Sequence, residues 1–218
     1  MSLVLLRSAY GDLSALVGDL TPEEGERPSG CAGWSVPDLT QHLLDDARRG
    51  LVALATPAGS PPTTDAVAYW RSWQPSPADD DSTAWRTRVR ASVTGGLPGL
   101  APLYAGTAAA VGVAAGRADP GGLVATQGWV LRVDDLLSTL AVEAAVHHHD
   151  LVVHLDRPGP PPAVLAEVRR VLGELLGAPL PAGWDDATAA RRGTGREPLT
   201  DADRAELGGA ADRFPLFG

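Results

Sequence analysis

Residues 133–151 read VDDLLSTLAVEAAVHHHDL, and the way this stretch faces its surroundings decides how the chain is organised. On a helical wheel with Leu136 at zero, Leu140 falls at about +40°, Glu143 at about −20°, His147 at about +20°, Asp150 at about −40° and His154 at about zero. Two leucines therefore begin a core-facing stripe that four ionisable side chains continue. A buried charge without compensation costs several kcal/mol or is neutralised by a pKa shift, so Glu143 and His147 need a partner there. A bound metal ion is one economical partner, and a simple hydrogen-bonded core pair is the other. His148 and His149 point elsewhere, at about 120° and about 220°, so the three consecutive histidines are not themselves a ligand cluster. His154 lies two turns beyond His147, roughly 10 Å along the axis, and is expected as a core or rim residue.

A second stretch, CAGWSVPDLTQHL over residues 31–43, supplies the facing element. Ser35 and Asp38 form the acidic version of a capping box and Pro37 fits the first turn, which fixes the start and direction of a helix from Val36 to about Ala55. On that helix Leu39, Leu43, Asp46, Ala47, Gly50 and Leu54 share one face, with His42 at its edge. Glu143 and His147, one turn apart, converge on one point, and an imidazole from a facing helix makes a three-ligand set of nitrogen and oxygen donors. Such a set leaves coordination positions open, as catalytic metals require.

The remaining periodicity is helical at Ser2–Leu20, Ser82–Val93 and Leu97–Ala115, with the helix bearing Glu143 running from Val133 to Leu155. The fold class is mostly α. Val, Thr and Trp around Gly128 predict a short hairpin or irregular loop between Leu123 and Val133. The run Arg157-Pro158-Gly159-Pro160-Pro161-Pro162 cannot continue a helix, since proline lacks the amide proton and clashes with the preceding turn. It divides the chain into residues 1–157, a helical bundle, and residues 158–218, a short extension with helices at Ala163–Leu176 and Asp201–Phe214 joined by an Arg-rich polar segment.

Composition excludes several classes of partner. A formal charge of −9 on 218 residues, with 27 acidic against 18 basic side chains, opposes a nucleic-acid surface, which needs clustered positive charge. All the basic residues are Arg, and Lys, Ile and Asn are missing, a bias of GC-rich coding rather than of function. The single cysteine, Cys31, cannot form an internal disulfide. The N-terminus lacks a secretory pattern, and residues 97–116 are too short and weakly apolar for a membrane span, so a cytoplasmic protein with no membrane partner is expected.

Both quoted stretches resemble one family. Residues 31–43 are similar to the opening motif of the mycothiol-dependent maleylpyruvate isomerase N-terminal family, within the DinB-like metalloenzyme superfamily, and residues 133–151 resemble its second motif. The resemblance spans about Ser2 to Leu155 and implies a DinB-like four-helix bundle with His42, Glu143 and His147 as metal ligands. It also implies a divalent metal, zinc foremost with nickel, iron and manganese compatible, and mycothiol as the thiol cosubstrate. One departure is marked: the isomerase carries a larger mixed α/β domain that contributes an arginine, whereas only about 60 residues follow the proline run here. Arg196 is the candidate for that role.

The reading of function that follows is a thiol-dependent transferase or isomerase acting on a small electrophile. Metal-dependent hydrolysis by bound water and a non-catalytic metal-stabilised binding module are its rivals. Asp150 is placed to steady a ligand imidazole, and Asp46 to do the same for His42 or to serve as a base; the plainer role for both is that of polar residues at a helix's solvent end. Trp34 is expected to anchor its loop, Cys31 to be inert filler, and Trp70, Trp73, Trp85 and Trp129 to serve as core.

Overall fold

The chain is described by a computed structural model covering residues 1–73 and 77–218, with side chains outside 77–83. Its elements, in order, are α1 (Ser2–Asp19), α2 (Pro22–Gly25), α3 (Val36–Leu54), a 3-10 turn (Ala68–Ser72), α4 (Pro77–Val93), α5 (Gly96–Arg117) and the strands β1 (Leu123–Thr126) and β2 (Trp129–Arg132). They continue with α6 (Val133–Val152), α7 (Pro162–Leu176), α8 (Asp186–Gly193), α9 (Asp201–Leu207) and a second 3-10 turn (Gly208–Arg213). The fold is a mostly α, DinB-like bundle with C-terminal helices.

Four helices make the bundle: α1 packs on α5 and α6, and α3 packs on the same two from the opposite side. Apolar spacing explains the arrangement. In α5 the buried residues Leu97, Leu100, Tyr104, Ala108, Val111 and Ala115 recur every three or four positions, one stripe of a helix. Helix α5 is also, among the described residues, the one long and apolar enough to cross a membrane, and here that stripe is spent on α1 and α3. Helix α3 begins as its sequence dictates. Ser35 accepts from the Asp38 amide while the Asp38 carboxylate accepts from the Ser35 amide, with Pro37 in the first turn.

Close approach between α3 and α6 depends on Gly50. A Cβ there would lie 2.8 Å from Cδ1 of Leu140, one turn before Glu143, so the missing side chain lets the helices bearing His42 and Glu143 draw together. The hairpin follows from its turn. Gln127 and Gly128 both have positive φ (48° and 81°), which matches the twist of the antiparallel strands pairing Thr126 with Trp129.

Beyond the proline run, α7 packs against α1 and α6, burying Val164, Val168, Val171 and Leu172 in the same apolar cluster as the bundle. The Arg-rich segment that joins the two expected helices contains one of its own, α8, capped by Asp185 through the Thr188 amide. The expected helix from Asp201 to Phe214 is α9 followed by the 3-10 turn, because the two glycines Gly208 and Gly209 interrupt it. Asp203 ties this segment down. Its buried carboxylate accepts from Trp184 Nε1 (2.6 Å), from Arg192 Nη1 (2.9 and 2.7 Å) and from the amide and hydroxyl of Thr200 (2.8 and 2.6 Å). Desolvation works against the charged form, but these donors prevail and hold its pKa at about 2.

Two outcomes follow from this packing. Replacing Gly50 with Leu wedges α3 from α6 and lowers unfolding free energy by about 1–3 kcal/mol, read from denaturant melts. Asp203→Ala removes several buried bonds and costs about 1–3 kcal/mol at neutral pH. Since the folded pKa lies below the unfolded value, the stabilisation by Asp203 is complete above about pH 4 and disappears as pH falls toward 2, so mutant and parent melts should converge in acid.

Candidate metal centre

Helices α3 and α6 deliver His42, Glu143 and His147 to one point. His42 Nε2 lies 3.1 Å from Glu143 Oε1, His147 Nε2 lies 3.3 Å from the same oxygen, and one ligand atom from each residue falls within 4.8 Å of the others. The imidazole rings meet edge-on with centroids 4.7 Å apart. Burial alone would raise the Glu143 pKa, but hydrogen bonds from His147 and His42 outweigh it and keep the carboxylate ionised well below its ordinary range. Two imidazole nitrogens and one carboxylate oxygen form a donor set that suits a divalent cation of borderline softness.

Behind His147 stands a second layer. Its Nδ1 lies 2.9 Å from Asp150 Oδ2, and Asp150, 1% exposed, is held in turn by Arg196 through Nη2 at 3.0 Å and Nε at 3.2 Å. The Cys31 thiol adds a donor to the same oxygen at 3.3 Å. With Nδ1 bonded to Asp150, Nε2 is the ring nitrogen turned toward Glu143 and His42, and it is the one a cation would take once its proton is released. Asp150 is thus no solvent-end residue. Desolvation would raise its pKa, but His147 and Arg196 prevail and carry it far below the carboxylate range.

The loop bearing Cys31 lies against α6 because Gly30 donates its amide to the Asp150 carbonyl at 2.7 Å and has no side chain. A Cβ on Gly30 would come within 3.1 Å of the Asp150 Cα. Cys31 is therefore a partner of Asp150 and a wall of the site, where sequence alone suggested filler. Asp46 lies on α3 one turn beyond His42, but its carboxylate bonds Arg49 Nε at 2.9 Å, and among the described residues no bond joins it to His42. Burial raises its pKa, with Arg49 pulling the other way. His154 is exposed at the rim, and His148 is buried with Nε2 on the Pro158 carbonyl at 3.1 Å.

Above the three residues opens a cavity of about 380 Å³. Its walls include Trp34, whose ring centroid is 5.3 Å from that of His42, together with Tyr69, Trp70, Trp73, Gln127 and Phe217. Of the tryptophans expected as core, Trp70 is buried but faces this cavity, Trp73 is 43% exposed at its mouth, and Trp85 is 63% exposed on α4. Trp85 fails as core because α4 packs chiefly on α3 and leaves its outer face in water. Phe217 stacks on Trp70 with centroids 4.4 Å apart. Neither Phe217 nor Tyr69 carries a sequence signal of its own, since Tyr69 sits on a five-residue 3-10 turn and Phe217 on the chain beyond the last one.

The fold and the cavity define a helical-bundle protein with a histidine and carboxylate donor set on its inner face. The family model described as the mycothiol maleylpyruvate isomerase N-terminal domain matches residues 6–152, and the chain belongs to that family. No curated protein and no solved structure matches the chain. The matched span contains His42, Glu143, His147 and Asp150, while Arg196 and Phe217 lie outside it.

Electrostatics of the metal-free form give a direct check. Burial would lower the His147 pKa, yet its bonds to Asp150, Cys31 and Glu143 raise it well above the ordinary value. Because the folded pKa is raised, the stabilisation is complete below about pH 6.5 and is lost as pH climbs through the folded value. Asp150→Asn should flatten this dependence, measured as denaturant midpoints of chelator-treated protein from about pH 6 to about pH 9.

Proposed function

We propose that the chain is a metal-dependent enzyme of the thiol-dependent transferase or isomerase type, using mycothiol on a small electrophilic substrate. One observation carries this reading: His42, Glu143 and His147 converge in the floor of a cavity that is large enough for a small molecule and walled by aromatic rings. Membership of the mycothiol isomerase family supports the thiol. The residues fit a divalent cation, with zinc the leading candidate, because a carboxylate kept ionised between two imidazoles is the donor chemistry such a cation takes. When bound, it supplies the positive charge that keeps a thiol deprotonated near neutral pH.

The chain's own residues do the rest. His42, Glu143 and His147 hold the cation, and Asp150 keeps His147 in the productive tautomer by accepting Nδ1–H. Arg196 fixes Asp150 and serves as a positioning residue in this reading. Trp34, Trp70 and Phe217 exclude water, which strengthens every electrostatic interaction inside the cavity. Asp46, with its pKa raised by burial, is placed at the cavity wall as a proton acceptor.

Metal analysis of the purified protein tests the assignment. The parent should hold one divalent ion per chain, His147→Ala should lose it, and Asp150→Ala should weaken it by about 10–100-fold in a chelator competition. Full metal content in His147→Ala would refute the site. Adding mycothiol should tighten metal retention and be required for turnover. Turnover without any thiol would point to the hydrolase instead, and metal binding indifferent to thiol would point to a binding module.

A further inference from the structure

On the Nδ1 edge of His147 a different set of donor atoms meets. The Cys31 sulfur lies 3.7 Å from His147 Nδ1 and 3.3 Å from Asp150 Oδ2, and Nδ1 lies 2.9 Å from the same oxygen. The three residues offer one ligand atom each within reach of a common ion. A circle through three points so separated has a radius of about 2 Å, so an ion slightly out of their plane reaches nitrogen and oxygen at about 2.1 Å and sulfur at about 2.3 Å, the bond lengths zinc takes.

The donors are fixed before any ion arrives. The Gly30 amide is bonded to the Asp150 carbonyl at 2.7 Å, the Ser29 hydroxyl oxygen accepts the Cys31 amide at 3.2 Å, and the Asp150 side chain is 1% exposed. Cys31 and Asp150 also line a second cavity, of about 510 Å³, whose described lining includes neither His42 nor Glu143; it gives an ion an entry path and room for a further ligand. Charge permits the exchange. A divalent ion that displaces the thiol proton and the Nδ1 proton leaves the net charge beside Arg196 unchanged, and Arg196 keeps Asp150 Oδ1 through its Nε at 3.2 Å. The cation assigned to His42, Glu143 and His147 uses the other ring nitrogen, so each ion has a carboxylate of its own, Glu143 or Asp150, against their mutual repulsion.

We propose that Cys31, His147 Nδ1 and Asp150 form a second metal site, for a thiophilic divalent cation such as cadmium or zinc, joined to the first centre through the His147 ring. Its sulfur donor makes it softer than a set of two imidazoles and a carboxylate, so cadmium favours it. An ion there takes Nδ1 away from its hydrogen bond with Asp150, the bond that steadies His147 for the first centre. The site uses donor atoms of this chain alone and does not depend on the thiol-dependent reaction.

Cadmium titrated into the chelator-treated full chain, followed by the ultraviolet charge-transfer band of a cadmium–thiolate bond, tests it. The parent should develop the band and Cys31→Ser should not. The isosteric Asp150→Asn should need at least about tenfold more cadmium to reach its midpoint, whereas His42→Ala, which keeps all three donors, should stay within about threefold of the parent. Circular dichroism checks that each variant is folded. Absence of the band in the parent overturns the proposal, and so does an unchanged midpoint in Asp150→Asn, the mark of a lone thiol taking up the ion. Loss of the band in folded His42→Ala also overturns it, since Cys31 then belongs to the first centre as a fourth ligand. The expected pattern in a chain that binds no ion at His42 and Glu143 would sink the first assignment and leave this site standing.

Discussion

The arrangement depends on one carboxylate. Glu143 sits on the inner side of α6 where a leucine would otherwise be expected, and desolvation there opposes its charge. It stays ionised only because His42 and His147 reach it, and His42 belongs to a helix a hundred residues away in sequence. The contact between α3 and α6 is therefore electrostatic at this level and apolar one turn below, where Leu140 fills the space that Gly50 leaves. Each half supports the other. Without the tight helix pair the three donor atoms separate, and without the histidines Glu143 becomes an uncompensated buried charge.

A layered network extends outward from that carboxylate. His147 joins Glu143 on one edge and Asp150 on the other, and Asp150 gathers Arg196 and Cys31. A single acid at residue 150 thus connects three parts of the chain: α6, the loop before α3, and the segment after α8. Such coupling gives the C-terminal extension a part in the site, which its separation by the proline run does not suggest. Arg196 secures the second layer, and Phe217 closes the cavity over Trp70.

What could be read from sequence and what could not divide along physical lines. Helices α1, α3, α5 and α6 were legible because each carries a long apolar period, and the capping box at Ser35 fixed the start of α3 to the residue. Glu143 and His147 drew notice because ionisable residues on an apolar stripe are costly and so informative, whereas His42 joined them through the family resemblance of residues 31–43. The short α8 was not, since eight small and polar residues bury only Ala189, Ala190 and Gly193, too small a face to leave a period. The aromatic residues misled: tryptophans are large and few, which argues for core, yet Trp70 and Trp73 border a cavity whose shape depends on a short 3-10 turn and on the chain around residues 214–218. Cys31 was misjudged for a related reason, because its placement rests on Gly30 meeting the backbone of Asp150, a tertiary contact without a sequence period.

The two buried carboxylates beside the candidate metal centre differ in what they leave free. Asp150 is saturated: His147, Arg196 and Cys31 all reach its carboxylate, and its pKa is driven down, so it holds position and does not exchange protons near neutrality. Asp46 is bonded by Arg49 alone among the described residues, yet its pKa is raised because burial and the nearby Glu143 charge outweigh that one partner. A carboxylate held firmly ionised and a carboxylate whose pKa burial raises thus stand near the same three donors. That asymmetry is what a site needs if it is to hold its geometry still while a proton leaves a bound nucleophile, and it arises here from the number of donors each acid receives rather than from any difference in residue type.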